Sequence, residues 1–84
     1  MDYPIIGTIV LFAGGYAPEG WAFCEGKELP IQGNEALFSI LGYKYGGDER
    51  SRFALPNLPK VPDTDGRGES KYMIALQGLY PIRP

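Results

Sequence analysis

The sequence predicts an α+β fold: a small, β-rich domain with one short helix and long loops rich in glycine and proline. Three observations predict it. The chain has 84 residues, 12 of them glycine and 8 proline, so turns and short strands must outnumber helical segments. Only Asn34–Gly42 carries apolar residues at helical spacing. The β-branched and aromatic residues gather elsewhere in brief runs bounded by turn formers. The length fits one domain over residues 1–84, near the lower limit for folding without a staple.

The first element is a strand from Ile5 to Phe12, apolar on both alternate sets. Ile6, Val10 and Phe12 line one side, and Ile5, Ile9 and Leu11 the other. A strand apolar on both faces is buried on both faces. Two readings stay open: a central core strand, or a strand with one face against another subunit. Ala13–Gly20 is a turn-rich loop delivering Trp21 into a short strand, Trp21 to Cys24. Glu25-Gly26 is a tight-turn candidate, with Lys27–Leu29 returning as the second arm of a hairpin that Pro30 ends.

In the helix, Asn34 suits the cap, Glu35 favours the positive N-terminal end, and Gly42 suits the stop. Leu37, Ile40 and Leu41 share a face directed at the core. Tyr43 to Arg52 is a polar excursion in which Asp48 caps local backbone N–H groups. Phe53–Pro59 is extended, because residues preceding proline avoid the helical region. Residues 62–70 form a mobile hydrophilic loop. Residues 71–84 supply a closing strand, with Tyr72, Ile74 and Leu76 on one side, and an apolar docked tail. The expected core is Ile9, Leu11, Trp21, Cys24, Leu37, Leu41, Phe53, Leu55 and Ile74.

Composition narrows function. A single cysteine forbids an intrachain disulfide, and the absence of histidine removes the commonest transition-metal ligand. A net charge of −2 gives no footprint for nucleic acid. Ile9–Phe12 is too short an apolar run for membrane insertion or a signal sequence. A role outside the cell would then use another exit route. No nucleophile–base pair, phosphate cradle or metal cluster can be written down, so the expectation is a non-catalytic protein with no cofactor and no metal.

The sequence resembles the phage tail collar domain family, which includes short tail fibre segments and bacterial microcystin-dependent-type proteins. The residues that carry the resemblance are Gly7-Thr8-Ile9, Phe12-Ala13-Gly14, Pro18-Glu19-Gly20-Trp21-Ala22-Phe23-Cys24-Glu25-Gly26, Tyr45-Gly46-Gly47-Asp48 and Phe53-Ala54-Leu55-Pro56-Asn57-Leu58. Tyr72–Pro81 is similar to the closing strand of the bacterial members. The chain departs after Leu58, reading Pro59-Lys60-Val61 where the family continues with an Arg-Gly-Arg run. The long segment before the closing strand is reduced to the loop around Asp63–Ser70.

The resemblance implies a structural, self-associating domain of a fibre or extracellular appendage, outside the cell or on a particle. The expected partner is a second copy, in a closed trimer or an open filament. Candidate subunit contacts are Ile5, Ile6, Val10, Met73, Leu79, Tyr80 and Ile82. The alternative is an adhesin tip that takes a cell-surface glycan through Tyr16, Tyr43, Tyr45 and Asp48. Trp21 reads as a core anchor before a sugar platform, and Cys24 as a buried, inert thiol. Arg50, Arg52 and Arg67 read as surface pairs of neighbouring carboxylates.

Overall fold

The computed structural model describes residues 3–82. Six strands and one helix follow in chain order: β1 (Ile9–Phe12), β2 (Trp21–Phe23), β3 (Glu28–Pro30), α1 (Glu35–Leu41), β4 (Arg52–Ala54), β5 (Val61–Pro62) and β6 (Glu69–Ala75). The mixture of short antiparallel strands and one short helix is the α+β class the sequence predicts.

The last strand is the centre. β6 pairs antiparallel with β1 on one side and with β2 on the other, and β5 also pairs with β6. β1 and β2 therefore run parallel, and Ala13–Gly20 must cross the sheet to join them. β3 and β4 form a separate two-stranded sheet. This corrects the hairpin expected across Glu25-Gly26. The turn exists, with Gly26 donating its N–H to Pro56 O at 3.2 Å. Its two arms go to different sheets.

The opening strand is also shorter than its composition suggests. Gly7 has φ +88°, a conformation that glycine adopts freely, and Thr8 N–H closes a turn onto Ile5 O at 3.0 Å. Ile5 instead makes a parallel bridge to Leu79. At the other end of the chain, the loop expected over 62–70 is a hairpin, because Val61 and Pro62 pair with Ser70 and Glu69. Its tip is residues 63–68, closed by Asp63 N–H donating to Gly68 O at 2.8 Å.

The helix forms where expected, but Asn34 does not cap it through its side chain. Its amide donates to Pro30 O at 2.9 Å, and Glu35 accepts from Gly33 N–H at 3.1 Å. Backbone N–H groups of Glu35 itself and of Gly33 hold the Glu35 carboxylate below its ordinary pKa.

Ile6, Cys24, Leu37, Phe53, Leu55 and Ile74 make the core cluster. Phe53 joins helix and small sheet, with the Phe38 ring at 5.3 Å. Five of the expected core residues are buried here: Cys24, Leu37, Phe53, Leu55 and Ile74. Leu41 packs against this cluster, half-buried. Ile9 and Leu11 do not belong; they are 38% and 47% exposed. Trp21 is half-buried and sits on the other face of the sheet, since it is level with Phe23 and Met73 in the strand alternation.

Candidate functional site

The exposed apolar residues define the candidate site, and they follow from the sheet order. With β6 central, β1 becomes an edge. Thr8 O accepts from Ala75 N–H at 2.9 Å. By antiparallel alternation, Val10 and Phe12 also turn their main-chain groups toward β6, while Ile9 and Leu11 turn theirs outward. Ile9 and Leu11 share the core-facing side with Ile74 and Tyr72, opposite them in register, but overhang the core at its margin.

The opposite edge, β2, has two of its outward groups held within the chain. Trp21 donates to Pro18 O at 3.0 Å, and Phe23 O accepts from Glu25 N–H at 3.0 Å. β5 ends in Pro62, which has no N–H to offer.

A second group of exposed apolar residues gathers around the tail. Ile5 and Leu79 are bridged and are 50% and 57% exposed. Ile40 lies over the Gly7 turn, and Tyr80 shares a hydrogen bond between its hydroxyl and Ser39 Oγ. Ile82 is 93% exposed, so the expected docking of the tail stops short of it. Arg83 and Pro84, also assigned to the docked tail, lie outside the described residues.

Of the seven expected subunit contacts, Ile5, Leu79, Tyr80 and Ile82 present free apolar surface, and Val10 is half-buried. Ile6 and Met73 are corrections: both are buried by their own chain. Ile6 falls inside because the Gly7 turn rotates it into the core, and Met73 is central in β6. Ile9 and Leu11, read as core, are the residues the sequence reasoning placed wrongly. No local residue marks this uncharged, proline-free strand as an edge.

Of the four expected ligand-loop residues, Tyr16, Tyr45 and Asp48 are exposed and Tyr43 is half-buried. Tyr43 packs edge-on against Phe38 at 5.0 Å. Asp48 accepts from the N–H groups of Arg50, Ser51 and Arg52 at 2.8–2.9 Å, the capping role read from the sequence. Those bonds, that from Arg52 foremost, hold its pKa down to about 2. Tyr45 carries Lys44 Nζ at 5.4 Å over its ring, and Tyr16 stands in the Ala13–Gly20 loop.

A cavity of about 280 Å³ opens beside Cys24 and Tyr72. Its charges are matched internally: Lys71 Nζ is 3.5 Å from Glu25 and Lys60 Nζ is 3.4 Å from Glu69. Burial pushes the Cys24 thiol upward, which keeps it protonated and unreactive. Arg67 pairs with Asp65, as the sequence suggests, while Arg52 pairs with Glu28 of the neighbouring strand. Among the described residues, no group of three or more metal-ligating side chains comes together.

The fold is a short-stranded α+β domain with an apolar edge. The model of the Phage Tail Collar Domain matches residues 7–62, two thirds of the chain, and the protein belongs to that family. The family is one of structural domains of the phage tail, which associates it with the virion. No curated protein matches the chain. The match ends at Pro62, although the central strand lies beyond it, so the sheet is completed by residues 69–75 outside the matched segment.

Proposed function

We propose that this chain is a self-associating structural module of a phage tail fibre or a related extracellular appendage, acting without catalysis. The observation that carries the reading is surface. The chain exposes 6052 Å², about 1,100 Å² more than the roughly 4,900 Å² of a lone globular protein of 9.2 kDa. Its radius of gyration of 13.7 Å likewise exceeds the roughly 12 Å of a compact chain this long. A stable interface hides about 800 Å² per partner, so the surplus is of the size association removes. Ile5, Ile9, Leu11, Leu79, Tyr80 and Ile82 supply its apolar part.

A glycan-binding tip is the weaker reading, because Tyr43 and Asp48 are committed to their own chain. Size-exclusion chromatography with light scattering at micromolar concentration tests the proposal. The expected mass is a multiple of 9.2 kDa; a monomer at all concentrations overturns it.

A further inference from the structure

Resting on that self-associating reading, we infer that the β1 edge is an isologous junction: β1 of one copy pairs antiparallel with β1 of a second, about a two-fold axis at Val10. The outward groups fix the register. Ile9 and Leu11 hold the free main-chain donors and acceptors of β1. Placing Ile9 opposite Leu11 of the second copy makes two hydrogen-bonded pairs, hence four bonds. Val10 then faces Val10 of the second copy as the close, non-hydrogen-bonded pair.

Every side chain brought together is apolar. Ile9 meets Leu11 on the core-facing side, covering the two exposed residues at once. No charge is buried, because the strand reads Ile-Val-Leu-Phe. Proteins that must keep an edge free blunt it with lysine, proline or a bulge, and β1 carries none of these among its four paired residues. A shape that pairs with itself by a two-fold needs the same patch on both copies, a condition this strand meets.

The test uses two variants of the full chain. Leu11→Pro removes an outward N–H and leaves the ladder to β6 untouched, a placement edge strands tolerate. It is expected to lower the assembly's mass by the factor of two that β1 pairing contributes, with unchanged circular dichroism. Val10→Cys is expected to give an intermolecular disulfide on mild oxidation, since paired Cα atoms at about 4.5 Å lie within bridging range. Ile9→Cys is expected to cross-link at least tenfold less, its counterpart lying diagonally at about 7–8 Å.

An associated wild type whose mass survives Leu11→Pro, with no Val10→Cys cross-link, overturns the junction and leaves self-association standing. A wild type that stays monomeric overturns both. If Leu11→Pro unfolds, the ratio of the two cysteine cross-links decides.

Discussion

In the two-stranded sheet, the outer side of β4 is closed by the chain itself: Ala54 donates to Gly46 O at 3.1 Å and Asp48 donates to Arg52 O at 3.2 Å. Its other strand, β3, carries Pro30 and Glu28, the latter held by Arg52 at 3.6 Å. In the four-stranded sheet, β1 carries only Ile9, Val10, Leu11 and Phe12, and among the described residues nothing pairs its outer side. The two edges occur in one small protein of one solubility. The difference teaches that the apolar edge is selective: the chain has the residues to guard an edge and places them at the other sheet.

The largest break in this comparison is Phe53→Ala. The ring is fully buried and joins β4, α1 and the core beneath β6, so both sheets are expected to fail together. The expected loss is about 3–5 kcal/mol, read as a lowered urea midpoint or outright unfolding. Gly47→Ala separates the sheets. Gly47 has φ +126°, and a Cβ there would collide with Arg52 O and crowd Phe53 Cα. A loss of about 1–3 kcal/mol is expected, with hydrogen exchange accelerating in β3 and β4 before β6.

Ile9→Lys sharpens the contrast by guarding the open edge. Because Ile9 is already partly exposed, monomer stability should change by less than about 1 kcal/mol. Association measured by light scattering should fall sharply. Asp48→Ala loosens the loop that closes the small sheet, and its effect depends on pH. The folded-state pKa is depressed to about 2 from an ordinary 3.8, so the carboxylate stabilises fully above that ordinary value. The advantage of the wild type over Asp48→Ala, seen in thermal melts, should shrink as pH falls toward 2. Glu28→Gln is the smallest break: an exposed pair contributes about 0–1 kcal/mol, and high salt should mask even that.

Much of this was legible in the residues. Helix spacing located α1, the Asp48 turn was read from its chemistry, and Cys24, Leu37, Phe53, Leu55 and Ile74 were found as core. The failures share a cause. A turn such as Glu25-Gly26 is a local signal, whereas strand partners are chosen across the chain. β6 enters between β1 and β2 from about fifty residues away, and no local pattern announces it. Once β6 is central, Ile9 and Leu11 must lie at a margin. An apolar strand looks alike in the middle of a sheet and at an open end, so their burial could not be separated from exposure. Ile40, read on the core-directed face of the helix, is instead 37% exposed and lies over the Gly7 turn.

The β5–β6 hairpin leaves the sheet and returns to it side by side, with Asp63 N–H held to Gly68 O at 2.8 Å and every tip residue in solvent. Nothing in the core would register a longer excursion spliced between those two residues, provided its ends meet. The hairpin tip is thus the point in this fold where added chain length would disturb the core least.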